Sequence, residues 1–432
     1  MHVTDLLHPA AAGPRRLLSL AAGGLIVTVS LSAVTAAASA AAAGRPAASA
    51  AAALRHVRPA LRRAVTNLTG TPVAVSTLSA SDAWAVEGTN LVLHWNGTSW
   101  VQTALPEYGT GSYLDAVDAV SAADVWAAGY YDTASSRCQT LLERWNGTTW
   151  TRVPSPAATR PAGATTAPAR SAQLALTGTF LQGVSGTSAS SVWAVRYDVV
   201  ACPRVYAVSV ILHWNGTNWA RVPSPDPGGG TNVYLTAVTS LSPTDAWAVG
   251  SYTTTAGKTR ALAAHWNGTR WTLVTAPNPA NGGFLDLNGV SAASPSDIWA
   301  VGTYGNEKTL ALHWNGTSWT QVATPSPGYT GNALSAVAAI SPSVAWAAGS
   351  YDVFRQTGAI PTKTLLLRWN GTHWTQVTTP NPGAAVSTLN GVAASSASDA
   401  WAVGFYQLPP SGGTTTSKTL MLRWNGAAWT RS

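Results

Sequence analysis

The 432-residue chain is 46% hydrophobic and only 10% charged, with 39 Gly, 26 Pro and 21 Trp, enough apolar residue to exclude wholesale disorder. Two cysteines are too few for a disulfide scaffold or a four-cysteine zinc site. The net charge of +8 places +6 in residues 1–66 and +2 in the remaining 366, so the folded part is almost neutral and no nucleic-acid partner is expected.

The N-terminus has the parts of an export signal. Arg15 and Arg16 close a positive region, Leu17 to Ala37 is largely apolar, and Ala38-Ser39-Ala40 supplies small residues for cleavage. Residues 1–40 are therefore read as a signal peptide. The apolar stretch is also long enough to span a bilayer, so an uncleaved N-terminal anchor is the alternative and the only expected membrane contact. Residues 41–69 form an Ala/Arg-rich linker with little to bury. Leu54, Val57 and Leu61 suggest a membrane-surface helix, but Pro59 interrupts it.

From residue 70 to 432 the chain repeats one unit seven times. A first class of tryptophan sits in Asp-Ala-Trp-Ala-Val-Gly-like segments: Trp84, Trp126, Trp193, Trp247, Trp299, Trp346 and Trp401. A second opens Trp-Asn-Gly: Trp95, Trp145, Trp214, Trp266, Trp314, Trp369 and Trp424. A third follows five residues later: Trp100, Trp150, Trp219, Trp271, Trp319, Trp374 and Trp429. All 21 tryptophans belong to the repeat. Each unit holds four apolar runs of strand length bounded by turn residues, and Asn-Gly between the last two marks a hairpin. Four strands per unit and seven units predict an all-β, seven-bladed β-propeller of four-stranded blades over 70–432.

The succession Leu-x-x-Val, Ala-Trp-Ala-Val-Gly, an aliphatic strand and Trp-Asn-Gly-Thr-x-Trp resembles the Asp-box (BNR-type) propellers and the related photosystem-assembly-factor propellers. The resemblance covers residues 70–432, although the Ser-x-Asp-x-Gly form of the Asp box is missing. It implies the fold more than an activity, because those families include sialidases, assembly factors and adhesive modules.

Repeated polar residues are assigned to the scaffold. His94, His213, His265 and His313 share one column with Arg144, Arg368 and Arg423, and arginine is no zinc ligand. Asp82, Asp124, Asp245, Asp297 and Asp399 share another, expected to bond backbone amides in the turn before the strand. Six Asn-Gly-Thr sequences read as repeated turns rather than glycosylation acceptors. Arg outnumbers Lys 21 to 4 beside an Ala-rich leader, which suggests a bacterial source. Only four glutamates occur, scattered through the repeat, so no carboxylate pair or triad points to catalysis. No cofactor and no metal is expected.

Alternation of strand direction puts the first-to-second and third-to-fourth connections on one uniform face. The second-to-third connections and the links between units share the other face, which holds nearly all the variation and is the expected working surface. Tyr131, Tyr197, Tyr252, Tyr304, Tyr351 and Tyr406 stand near the start of those loops, either as ligand-stacking rings or as packing between blades. Cys138 and Cys202 fall in equivalent loops of adjacent blades and are expected to form a disulfide in an exported protein. The leading reading is a secreted or cell-surface, non-catalytic module that binds a protein or polysaccharide at the cell envelope. The alternatives are a carbohydrate-active hydrolase or lyase and an assembly chaperone for an exported complex.

Overall fold

The computed structural model describes residues 70–109, 111–133, 138–156, 175–201, 205–228, 231–279, 283–354, 360–383, 385–409 and 415–432; the expected leader and linker lie outside the described residues. The described elements are 28 strands in seven sets of four. Blade 1 is β1 (Pro72–Ser79), β2 (Asp82–Glu87), β3 (Leu91–Trp95) and β4 (Trp100–Thr103). Blade 2 is β5 (Gly111–Ser121), β6 (Asp124–Asp132), β7 (Cys138–Trp145) and β8 (Trp150–Arg152). Blade 3 is β9 (Ala175–Ser188), β10 (Ser191–Ala201), β11 (Val205–Trp214) and β12 (Trp219–Val222). Blade 4 is β13 (Thr231–Ser242), β14 (Asp245–Thr253), β15 (Thr259–Trp266) and β16 (Trp271–Leu273). Blade 5 is β17 (Leu285–Ser294), β18 (Asp297–Tyr304), β19 (Lys308–Trp314) and β20 (Trp319–Val322). Blade 6 is β21 (Thr330–Ser341), β22 (Val344–Asp352), β23 (Thr362–Trp369) and β24 (Trp374–Val377). Blade 7 is β25 (Ser387–Ser396), β26 (Asp399–Gln407), β27 (Ser417–Trp424) and β28 (Trp429–Arg431).

Within each blade the strands pair antiparallel in chain order. Blades 2 and 3 are additionally joined where Cys138 of β7 pairs in parallel with Gly178 of β9. The first strand of every blade packs against the first strands of both neighbours, so these seven strands surround the axis. The chain is thus a seven-bladed β-propeller, and each blade comes from one continuous segment.

Every first-class indole is buried, and it packs against the second- and third-class indoles of the following blade. Trp84 lies 5.3 Å from Trp145 and 5.6 Å from Trp150. Trp346 meets Trp424 and Trp429 at 5.0 and 5.1 Å. Trp401 of the last blade meets Trp95 and Trp100 of the first at 5.0 and 4.9 Å. The ring therefore closes through the same three-indole contact that joins consecutive blades. One member is tilted and the other edge-on, arrangements that the aromatic quadrupole favours. Each second-class indole also donates to a backbone carbonyl in its own blade's first turn, as Trp95 does to Ala80 at 3.1 Å.

Trp95 and Trp100 pair across their hairpin, as do the other second- and third-class pairs. The loop they enclose has four residues, and only its glycine takes positive φ, 92° at Gly97. Asn96 acts through its side chain instead: Oδ1 accepts from the amides of Thr98 and Ser99 and from the Thr98 hydroxyl.

Each innermost strand carries a β-bulge at one repeated position, at Val73, Asp115, Gln182, Thr236, Asn288, Ser335 and Asn390. The bulge presses a carbonyl against the second strand, where five blades have glycine. A Cβ on Gly302 would lie 1.9 Å from the Asp286 carbonyl oxygen.

Removing the Trp401 indole is expected to cost about 3–5 kcal/mol, as for other buried aromatics. Trp126→Ala, inside the chain, should cost a similar amount in denaturant titration. A much smaller loss for Trp401→Ala would mean that the closing joint is weaker than the others.

Candidate functional site

The repeated histidines, arginines and aspartates form one device in each blade. His94 bonds Asp82 at 3.0 Å and stacks on Trp84 at 4.1 Å. His265 and His313 repeat this with Asp245 and Asp297. His213 uses Ser191. Arg144 reaches Asp124 at 2.7 Å with its guanidinium 5.1 Å from the Trp126 ring, and Arg423 does the same with Asp399 and Trp401. These aspartates therefore hold the cation or imidazole that covers the buried indole, a different role from the backbone capping expected of them. In blade 6 the acid is replaced by Val344, and Nε of Arg368 is buried without a hydrogen-bond partner among the described residues. Val344→Asp is expected to stabilise the protein by about 0.5–1 kcal/mol, measured by denaturant titration.

The variable face is different in kind. Five large apolar residues are exposed on the described surface: Leu273, Phe284, Tyr329, Phe354 and Leu408. Phe284 and Tyr329 lie in links between blades, and Phe354 and Leu408 lie in second-to-third connections. Leu273 ends a fourth strand that runs toward the same face. Tyr329 and Phe354 are 69% and 56% exposed and touch at 5.0 Å.

The six candidate tyrosines divide into two groups. Tyr131, Tyr252, Tyr304, Tyr351 and Tyr406 share one register and are half-buried against cores that span adjacent blades. Arg152 donates to the Tyr131 hydroxyl at 2.7 Å with its guanidinium 4.4 Å from the ring. Arg431 and Tyr406 repeat that contact in blade 7. Tyr197 lies one register position earlier, on the other face of its sheet. There it belongs to an aromatic row on the first and second strands that crosses blades 2, 3 and 4. The row runs Tyr113–Tyr130–Phe180–Tyr197–Tyr234, with neighbouring centroids 4.9–5.2 Å apart. The same positions elsewhere hold Thr71, Gly88, Ser251, Asp286, Thr303, Ala333, Ser350, Thr388 and one further aromatic, Phe405.

Half-buried and buried acids also concentrate in this sector, with Asp115 and Asp118 half-buried and Glu143 fully buried. Burial pushes the Asp115 carboxyl up to about 7 and that of Asp118 up to about 6, although Asp118 accepts from the Gly186 amide at 2.8 Å. Glu143 is fully buried in a column that is otherwise Leu or Ala, and burial raises it to about 7 against the pull of Arg152. Arg196, in the glycine column, is fully buried and paired with Asp198 at 3.0 Å. None of these features was singled out from the sequence. The available signal was each residue's departure from its column of the repeat.

The expected Cys138–Cys202 disulfide is corrected. Cys138 is a free thiol that opens β7 rather than standing in a loop, and it donates to Asp132 Oδ1 at 3.3 Å. Burial, then Asp132, pushes the thiol up to about 12, which keeps it protonated and a poor partner for oxidation. Cys202 lies outside the described residues. Blades 2 and 3 are held together by the backbone pairing of Cys138 with Gly178 instead.

An open cleft of about 460 Å³ also occurs between blades 6 and 7, where the last turn has Ala427 and Ala428 in place of Thr-x. Its lining of Trp424, Trp429, Pro380 and Val377 carries no charged group. Among the described residues no group of three or more His, Cys, Asp or Glu could hold a metal ion.

No family model matches the chain, and no curated protein matches it. Solved structures align at low identity. YCF48 bound to D1 peptide is 14% identical, with 76% of this chain and 87% of that one covered and a TM-score of 0.41. The BP39L lectin from Burkholderia pseudomallei is 13% identical, covering 84% and 98%, with a TM-score of 0.47. The WD40 propeller domain of Doa1 is 11% identical, covering 83% and 97%, with a TM-score of 0.43. The seven-bladed ring rests on its own strand pairing and indole packing.

Proposed function

We propose that this chain is an exported, non-catalytic propeller that binds a protein or polysaccharide at the cell envelope through its variable face. One observation carries the reading: all five exposed large apolar residues lie at that face. Exposed apolar side chains gathered on one surface of a soluble fold mark a docking surface more often than chance exposure. The opposite face supplies a contrast, since its turns are built from repeated Ser, Asp and Asn-Gly residues. Export rests on the leader at residues 1–40 and the linker at 41–69. Tyr131, Tyr252, Tyr304, Tyr351 and Tyr406 form a half-buried second rank that supports the face, and Tyr197 contributes through the aromatic row.

The test uses the intact protein against an envelope extract and a glycan array. Tyr329→Ala with Phe354→Ala is expected to abolish capture while changing the melting temperature by about 2 °C or less, as for exposed sites. Unchanged capture by that double variant, or turnover of any polysaccharide by the parent, would overturn the reading.

A further inference from the structure

The bulges around the axis carry bonds from blade to blade, and one of them carries an acid. Thr236 donates its hydroxyl to the Leu287 carbonyl of the next blade at 2.5 Å. Asn288 donates its amide to the Leu334 carbonyl at 2.9 Å. Asn390 donates to the Pro72 carbonyl at 2.8 Å and so helps to close the ring. All three side chains stand at the bulge, and all three acceptors stand one residue before the next blade's bulge. In blade 2 the bulge residue is Asp115, and the corresponding acceptor in blade 3 is the Leu181 carbonyl. An ionised carboxylate has no proton to give there, whereas a neutral carboxyl has one.

We infer that Asp115 works as a proton-operated latch between blades 2 and 3, donating to the Leu181 carbonyl when protonated and releasing it when ionised. Asp115 Oδ2 is shielded from solvent and has no hydrogen-bond partner among the described residues. A shielded carboxylate oxygen without a partner is costly even in a half-buried residue, and taking up a proton removes both the charge and the missing bond. The surroundings favour that outcome. Tyr130 of β6 and Tyr197 of β10 are the titratable groups that feel the Asp115 charge; burial holds both phenols neutral first, followed by that charge and Tyr113 at Tyr130, and by Tyr234 and then that charge at Tyr197. Cys138 at the head of β7 acts on the same two rings and is itself held protonated, while Asp132 adds only negative charge at Tyr130. Gln182 of β9 donates to the Leu181 carbonyl at 3.3 Å, which leaves that oxygen a second lone pair for Asp115. No cation among the described residues acts on the carboxyl.

Burial raises the folded carboxyl to about 7, above its ordinary value of 3.8. The native state therefore binds the extra proton between those two values. The stabilisation is complete below the lower value and lost as pH rises through the upper one. Tyr113 of the aromatic row stands two residues before Asp115, and the row crosses from blade 2 to blade 3 at Tyr130 and Phe180, so the latch sets how firmly those two blades are held. This is independent of what the variable face binds.

Melting curves of the full chain at pH 5 and pH 8 test the inference. Asp115→Asn, which donates at every pH, should melt with the parent at pH 5 and at least about 2 °C above it at pH 8. Asp115→Ala, which never donates, should melt below both at pH 5. Asn390→Asp should create the same pH-dependent loss at the joint between blades 7 and 1. A difference between parent and Asp115→Asn that is the same at both pH values would overturn the latch. So would equal melting of Asp115→Ala and the parent at pH 5. Should Asp115→Asn fail to fold, carbon NMR of the parent decides: a carboxyl titrating near 7 supports the latch, and one near 4 overturns it.

Discussion

The structure depends on one contact between three indoles. A buried tryptophan from each blade's second strand enters a notch formed by the two tryptophans flanking the next blade's hairpin. A single blade cannot bury that indole alone, because its partners belong to the neighbour. Seven blades satisfy one another only if the last returns to the first, as Trp401 does on Trp95 and Trp100. Closure therefore needs no exchanged strand. The cap over each indole, a histidine or an arginine, belongs to the same unit. Burial of each large side chain contributes roughly 1.5–3 kcal/mol before ordering entropy is subtracted, and the contribution recurs at every joint.

A scaffold held at its joints leaves its rims free to vary. The axis is crowded by bulged first strands, and the hairpin face is fixed by the four-residue Asn-Gly turns. The second-to-third connections and the links between blades carry no indole of the repeat. They differ in length and hold the exposed Phe284, Tyr329, Phe354 and Leu408. The non-repeated chemistry of blades 2 to 4 is of a second type, since it lies inside the ring. Glu143 stands in a column that is otherwise Leu or Ala, Arg196 in one with five glycines and Asp198 in one with five tyrosines, while the aromatic row and Asp115 stand in columns of mixed composition. That sector is where the ring is least symmetric.

Blade number, strand order and the pairing of Trp95 with Trp100 were legible because they follow from periodicity and from a turn motif of fixed length. The contact between Trp84 and the next blade's Trp145 was not, since a repeat shows which residues are equivalent but not which copies touch. The sequence places Asp82 beside a turn, which points to backbone capping, whereas strand pairing brings it against His94. The bulges left no mark in any single copy. Their residues form a column of seven side chains of mixed chemistry, six polar and one valine, and the role of the column emerges only when Thr236, Asn288 and Asn390 are seen reaching across to the next blade. Five candidate tyrosines share a register as their spacing suggested. Tyr197, one position out of step, turns to the other face, because alternation in a strand makes a single-residue shift a change of side. The disulfide expectation placed both cysteines in loops, but Cys138 falls within the paired end of β7.

Equivalence of the seven joints is the central claim, and a circular permutant tests it most directly. Its termini would fall in the link between β12 and β13, with Ser432 connected to Gly70 by a linker as long as that link. If the contact of Trp401 with Trp95 and Trp100 matches the others, the permutant unfolds in one transition within about 4 °C of the parent. Separate transitions for the two halves, or a much larger loss of melting temperature, would contradict the account.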